Sequence, residues 1–288
     1  MGWRFALASA TGTSHFQSAT PCQDHAAYAF FEAGDGQVLA LVAADGAGSA
    51  RHSDLGAEIA ARELIRLVGR HCEAGASIAE LSRATAQAWI THIATTLAER
   101  AVGDDCDVRD YACTLLAAVL GPESAAFIQI GDGAIVVSHG EEDGWAYVFW
   151  PQHGEFANTT NFVVSPNATE ALEFELAPRR IEEVALFTDG IENLVLHRAT
   201  RSVHEPFFNQ IFRPVRASEA EGYNEVLSEG LRRYLSGPAV CERTDDDKTL
   251  ILATRLDKWA TAELTEDADK AGAPGPIAAD RDAACPIS

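Results

Sequence analysis

Apolar and polar positions divide this chain into a first group of strands, two long helices, a second group of strands, and a closing set of helices ended by one more strand. Trp3 to Ser9 alternates well enough for an opening strand. After a small, polar loop over Ala10–Gln23, a second strand is expected over Ala26–Phe31. Glu32-Ala33-Gly34-Asp35-Gly36 reads as a hairpin turn. The apolar run that follows, Gln37 to Ala44, stops abruptly at Asp45-Gly46-Ala47-Gly48. In the first helix Leu55, Ile59, Leu64, Leu67 and Val68 lie near one face, with Ser53 as cap and Asp54 in the opening turn. Ser77-Ile78-Ala79-Glu80 has the form of a capping box for the second helix, and Leu81, Ala84, Ala88, Ile93 and Leu97 supply its apolar stripe.

Strands are expected next over Ala112–Leu120, Ala125–Ile130, Ala134–Ser138 and Trp145–Trp150. Pro151–Pro178 is the least regular internal stretch, with Phe162-Val163-Val164 as a short strand inside it. Ile181–Thr188 reads as a strand, Ile191–Leu196, Glu205–Phe212 and Ser218–Leu235 as helices, and Lys248–Ala253 as the last strand. Strands and helices are grouped rather than alternating. That pattern predicts a layered α+β fold, sheet on sheet with helices outside, rather than a parallel doubly wound sheet. After Leu256 the composition turns to Ala, Asp, Glu, Gly and Pro, so residues 1–256 are expected to form one domain and 257–288 an acidic Ala/Pro-rich tail without a core.

Charge and cysteine usage narrow the function. Lys and Arg number 22 against 43 Asp and Glu, a net charge of −21, which argues against a nucleic-acid surface. No apolar run approaches the roughly 18–20 residues of a membrane span, and Met1-Gly2-Trp3-Arg4-Phe5 lacks the basic and apolar regions of a secretory signal. Six cysteines are scattered without a Cys-x-x-Cys pair, so a zinc site is not expected and reduced thiols in the cytoplasm are.

The candidate chemistry lies in a repeated pattern. Asp45-Gly46 ends one apolar strand; Ile130-Gly131-Asp132-Gly133 and Phe187-Thr188-Asp189-Gly190 end two others. Taken alone, each is a strand followed by an Asp-Gly turn. Three in one domain suggest carboxylates gathered at one edge of a core, an oxygen-only environment of the kind hard divalent cations take. Thr244-Asp245-Asp246-Asp247-Lys248 puts further acids just before the last strand, either as a solvated run or as part of the same site. Because antiparallel neighbours place the start of one strand beside the end of another, Asp246 is expected to meet Asp45 and Asp189 across a sheet end.

In this order, Gln23-Asp24, Ala44-Asp45-Gly46, Cys113-Thr114-Leu115, Ile130-Gly131-Asp132-Gly133, Phe187-Thr188-Asp189-Gly190 and Asp246-Asp247-Lys248-Thr249-Leu250 resemble the metal-dependent protein phosphatases, the type 2C or PPM family. Thr13-Ser14-His15, Pro21-Cys22-Gln23-Asp24 and Gly154-Glu155-Phe156-Ala157-Asn158 look like its bacterial branch. The resemblance covers roughly residues 10–255 and implies a four-layer α-β-β-α sandwich, two mostly antiparallel sheets flanked by helices, with Mg²⁺ or Mn²⁺ at one end. It implies that Asp45 bridges two ions, that the Gly46 carbonyl binds one, and that Asp189 and Asp246 complete the set. It also implies that Asp24 holds a metal-associated water and that Asp132 helps bind a third ion.

Two departures from the family stand out. The family often has an Arg about five residues before the Asp24 position to clamp phosphate, and here that position is Ala19. His15 is the nearest substitute, as a substrate-binding residue, or else a loop histidine bonded to backbone. The general-acid His found in many eukaryotic members is here Ala47, and His52 is either a proton donor or simply a helix-start residue. The implied activity is hydrolysis of phosphoserine and phosphothreonine in proteins by a metal-activated water, with a phosphorylated protein as substrate and a cognate Ser/Thr kinase as counterpart. The alternatives are a pseudophosphatase that binds a phosphopeptide or partner, and a hydrolase of small phosphorylated metabolites.

Overall fold

The computed structural model describes residues 2–15, 20–138, 144–152 and 160–256. The expected tail at 257–288, Ala19 and the Gly154–Asn158 stretch lie outside the described residues. The strands in chain order are β1 (Trp3–Ala10), β2 (Asp24–Ala33), β3 (Gly36–Asp45), β4 (Leu115–Leu120), β5 (Ala125–Ile130), β6 (Ala134–Ser138), β7 (Trp145–Tyr147), β8 (Glu173–Ala177), β9 (Glu183–Phe187), β10 (Leu196–His197), β11 (Ser202–Val203), β12 (Gly222–Tyr223) and β13 (Lys248–Arg255). The helices are α1 (Ser53–Glu73), α2 (Arg83–Gly103), α3 (Ala168–Ala171), α4 (Glu192–Val195), α5 (Glu205–Ile211), α6 (Arg213–Arg216), α7 (Glu225–Leu235) and α8 (Pro238–Cys241).

One sheet runs β12-β1-β13-β9-β6-β7 and the other β2-β3-β4-β5-β8. Every pairing in them is antiparallel except β1 with β12. The burial pattern shows four layers. Phe5, Leu39, Leu41, Leu116, Phe127, Leu186 and Ile251 fill the space between the sheets. Val38, Val42, Val119 and Ile128 face the other way, onto Leu64, Val68, Ile90 and Ile93 of α1 and α2. Ala8, Val136, Phe187 and Leu250 pack under Phe208, Val215, Leu231 and Leu235 of α5 to α7. Successive residues of a strand point to opposite faces, so a strand buried on both sides reads as an unbroken apolar run. That is why Val38 to Ala44 carries no polar residue.

The main strands fall where the apolar runs place them; the differences lie in short elements and helix ends. Ser53 does not cap α1: it sits inside the first turn, where its hydroxyl donates to the Ala50 carbonyl (3.3 Å) and accepts from Gln23 Nε2 (2.6 Å). The Ser77–Glu80 capping box forms, but on a single 3₁₀ turn over Ile78–Glu80; Ser82 caps α2 by accepting the Thr85 N–H. The buried face of α2 is Ala86, Trp89, Ile90, Ile93, Leu97 and Ala101, leaving Ala84 and Ala88 exposed. Alanine is too small to reveal which face is buried. Phe162–Val164 lies in a turn, and the strand of that region is β8. Residues 218–224 are not helical: Gly222 and Tyr223 pair with β1, and Asn224 caps α7.

Helix α1 rides close to the loop before β4. A Cβ at Gly56 would lie 2.3 Å from the Tyr111 carbonyl oxygen, backbone that cannot step aside. Gly230 in α7 has no atom within 4 Å of the same construction. In a helix interior Ala is favoured over Gly by about 1 kcal/mol, so the two sites should respond with opposite signs. Gly230→Ala is expected to raise the urea midpoint, whereas Gly56→Ala is expected to lower it, with overpacking costing about 1–3 kcal/mol. Equilibrium unfolding of the two variants checks this.

Candidate metal centre

The acids singled out in the sequence come from both sheets and converge at one end of the sandwich. Asp45 is the last residue of β3 and Asp24 the first of β2, and the two are paired directly in register. Asp132 sits in the turn that carries the chain out of β5 in one sheet into β6 in the other. Asp189 follows β9, and Asp246 precedes β13. The antiparallel pairing of these strands, Leu250 opposite Phe187, brings that end and that start together. Asp246 is therefore carried to the same sheet edge as Asp189. Asp45 approaches from the opposite sheet, so the cluster spans the sandwich instead of one sheet end. One carboxylate oxygen each from Asp45, Asp132 and Asp189 lie within 4.8 Å of one another. Asp246 stands at the exposed rim, near enough for its charge to act on Asp45 and Asp189.

Neutral hydroxyls hold these acids in place. The Thr188 hydroxyl donates to Asp24 Oδ2 (2.8 Å) and accepts the Thr249 N–H (2.9 Å). Thr160 donates to Asp132 Oδ2 (2.6 Å). Thr114 accepts the Asp45 N–H on its side chain (3.0 Å) and returns its own N–H to the Asp45 carbonyl (2.8 Å). Gly131 turns with φ 109°. Gly46 is wedged between backbone: an added Cβ would lie 2.6 Å from the Ser53 carbonyl and 2.8 Å from that of Gln23.

Burial, then mutual repulsion, makes the cluster resist ionisation. Burial pushes Asp24 up to about 7 against the opposing hydroxyls of Thr188 and Thr249, with the Asp247 charge raising it further. Asp45 is held well above the usual carboxylate range by burial and then by Asp24, Asp189, Asp246 and Asp132. Asp189 is pushed up to about 7 by burial and by Asp132, Asp246 and Asp24. Asp24 Oδ1 is buried with no hydrogen-bond partner among the described residues. Carboxylates so placed need either protons or cations. An orphaned buried oxygen and a donor set of carboxylate oxygens alone fit Mg²⁺ or Mn²⁺ and do not suit the sulfur and imidazole preferences of Zn²⁺. Burial and neighbouring acids push the Cys22 thiol up to about 12 and also raise that of Cys113, which excludes either as a nucleophile at neutral pH.

Asp247 is the site residue that sequence reasoning passed over. It is buried, and its carboxylate accepts the Gly12 N–H on Oδ1 and the Gln23 N–H on Oδ2, each at 2.6 Å. His15 Nδ1 lies 3.1 Å from Asp247 Oδ1. The His15 side chain thus faces Asp247, whose bonds tie the loop after β1 to the start of β13. Lys248 is fully buried beside it and donates from Nζ to the Asp246 carbonyl (2.8 Å). No periodic signal marked it in the sequence, since Asp247 lies just before β13 and both it and Lys248 are buried. His52 stands at the start of α1, its ring centroid 5.3 Å from that of Tyr111.

Comparison with known proteins gives the family and the fold. The family model described as protein phosphatase 2C matches residues 11–236. The chain is 38% identical over 254 residues to serine/threonine-protein phosphatase 3 of Escherichia coli (strain K12), covering 88% of this chain and 98% of that protein. The fold is shared with a serine/threonine phosphatase of S. agalactiae at TM-score 0.57 and 17% identity, covering 88% of this chain and 99% of that one. It is also shared with the catalytic domain of the phosphatase PstP, solved with two manganese ions, at TM-score 0.56 and 13% identity, covering 89% and 99%. The chain belongs to the protein phosphatase 2C family and is a metal-dependent protein serine/threonine phosphatase.

Proposed function

We propose that the residues of this centre divide the hydrolysis of protein phosphoserine and phosphothreonine as follows. Asp45 and the Gly46 carbonyl serve two Mg²⁺ or Mn²⁺ ions together, Asp189 and Asp246 complete their ligand set, and Asp132 with Asp189 takes a third. The convergence of Asp45, Asp132 and Asp189 oxygens within 4.8 Å carries this reading. Bound there, the ions acidify a water and neutralise phosphate charge. Asp24 Oδ1, which has no protein donor, accepts a hydrogen bond from the attacking water, while Thr188 holds its Oδ2 fixed. Gly46 lets the backbone pass close beside Gln23 and Ser53, because any side chain would displace them.

His15 binds substrate phosphate at the mouth of the site while Asp247 orients its ring through Nδ1. The enzyme works in the cytoplasm opposite a cognate Ser/Thr kinase. Its five described cysteines are free thiols, which supports a reducing compartment.

Asp45→Asn, Asp189→Asn and Asp246→Asn should each lower Mn²⁺-dependent turnover of a phosphopeptide by about a hundredfold or more, because a lost carboxylate weakens ion binding and water activation together. Circular dichroism should show the fold intact. A folded Asp45→Asn enzyme with full metal-dependent activity removes Asp45 from this role.

The same acids make stability depend on pH and metal. Asp24 and Asp189 go from an ordinary 3.8 in the unfolded chain to about 7 in the fold. Raised carboxylates contribute stability that is complete below about pH 4 and lost as pH rises through about 7. Chelator-treated protein should therefore melt lower at pH 8 than at pH 5. Adding Mn²⁺ should raise Tm more at pH 8, where the ligands are already ionised. Differential scanning calorimetry at both pH values checks this; an equal Mn²⁺ effect at the two pH values counts against the ligand set. If His15 binds phosphate, His15→Ala should raise KM for a phosphopeptide more than it lowers kcat. A changed Mn²⁺ requirement with KM intact would instead assign His15 to holding Asp247.

A further inference from the structure

Strand β2 is the outermost strand of its sheet: among the described residues β3 is its one hydrogen-bonded neighbour, over Asp24–Ala33. Half of its backbone N–H and C=O groups therefore point away from the sheet. Natural edge strands are ordinarily guarded by charge, proline or a bulge. From His25 to Phe31 this one carries His, Ala, Tyr and Phe, with no acid, lysine, arginine or proline.

A hollow of about 490 Å³ lies against this edge and straddles it. On the helix side it is walled by Arg62 and Ile65 of α1; on the side of the opposite sheet it is walled by Leu7 and Tyr223. Ala26 and Ala27 form its back. Tyr28 stacks on Tyr223 with ring centroids 5.5 Å apart, and Phe5 meets Tyr28 edge-on at 4.7 Å. Tyr28, Phe30 and Tyr223 are three of the six exposed large apolar side chains among the described residues. An extended segment added beside β2 would send its side chains alternately to the two walls.

We propose that this edge binds the chain of the phosphoprotein substrate as an added β-strand flanking the phosphorylated residue. The proposal rests on the catalytic reading above and extends it to substrate choice. The chemistry of the edge selects an extended backbone, since its unpaired amides and carbonyls give affinity and the two walls read alternate side chains. Position selects the substrate, because β2 begins at Asp24 in the metal centre and the lining of the hollow begins at the next residue, His25. At about 3.3 Å per residue, Tyr28 lies about 13 Å along the strand from Asp24, so the residue read there is about four from the phosphoserine. An apolar or aromatic residue at that place fits between Leu7 and the Tyr28–Tyr223 pair. A second copy of this chain is disfavoured as occupant, because each copy carries a net charge of −21.

The test uses the full-length Mn²⁺-loaded enzyme and synthetic phosphoserine peptides with flanks of increasing length on either side. Extending one flank past the fourth residue, with a large apolar side chain there, should raise kcat/KM by about tenfold. N-methylation of alternate backbone amides in that flank should abolish the gain, and Tyr223→Ala should reduce it. p-Nitrophenyl phosphate, which has no flank, reports the metal centre in the same preparation. Turnover of that small substrate with no effect of flank length or N-methylation overturns the proposal and leaves the catalytic reading intact. Failure of Mn²⁺-dependent turnover of both substrates overturns the catalytic reading itself. If truncation after Leu256 brings a flank-independent gain, the chain's own tail occupies the edge and the proposal falls. It falls equally if Tyr223→Ala breaks up a dimer without changing peptide kinetics. The N-methylated peptides act on the unmodified enzyme, so the proposal stays exposed even where Tyr223→Ala does not fold.

Discussion

Crowding of carboxylates at one end of the sandwich makes a demand that the surrounding fold has to meet. Asp24, Asp45, Asp132, Asp189 and Asp246 are brought to one end of two sheets packed on largely apolar clusters. Asp24, Asp132, Asp189 and Asp246 all raise the cost of ionising Asp45. Such a cluster persists only if the rest of the fold holds it rigidly and a cation compensates it. The surroundings fit that demand: the hydroxyls of Thr160 and Thr188 hold the Asp132 and Asp24 carboxylates with neutral groups, which fix direction without cancelling charge, and Thr114 holds the backbone of Asp45. A fixed Arg or Lys side chain on the same oxygens would have neutralised the site and left nothing for a metal to do.

Asp247 shows how the fold meets a second requirement. The loop between β1 and β2 must end with Asp24 aimed into the centre, yet its described residues form one short 3₁₀ turn. A buried carboxylate taking two backbone N–H groups at 2.6 Å, from Gly12 and Gln23, fastens both ends of that loop to the start of β13. Charge-assisted bonds of this kind are about twice as strong as neutral ones. Gly12 permits the approach, since a Cβ there would lie 2.4 Å from the Asp245 carbonyl. Gly190 does the same on the other side, where a Cβ would lie 1.9 Å from the Asp247 carbonyl. The acids proposed as metal ligands, on two sheets, are thus registered against each other through backbone contacts that tolerate only glycine.

The strands that build the sandwich were legible because they are buried on both faces, and unbroken apolar runs leave few other readings. The acids at their ends were legible because the Asp-Gly pattern recurs where such runs stop. Less could be read where side-chain size carries no information. The stripe assigned to α2 used Ala84 and Ala88, which face solvent, and missed Trp89 and Ile90. Strand β8 was missed because Glu173, Phe174, Glu175 and Leu176 form the outer edge of a sheet and alternate only over a few residues. Residues 218–224 read as helix because polar residues of high helical propensity mask a two-residue pairing with β1, which tertiary contact alone decides. Asp247 was hidden inside an acidic triplet: composition shows three like residues, and only the hydrogen bonds from Gly12 and Gln23 single out the buried one.

The same logic explains why β2 differs from the other end of its sheet. The opposite edge strand, β8, carries Glu173 and Glu175, charges that discourage a further strand. β2 carries its one charged pairing residue at each end, Asp24 in the metal centre and Glu32 at the far turn, and keeps the middle apolar. Replacing Ala29 with lysine would protect the edge at little cost to the core, since that residue is half-buried and belongs to none of the apolar clusters. An aggregation-prone edge that is cheap to guard yet left open, next to a hollow and leading from the catalytic acids, is more economically explained by use than by neglect.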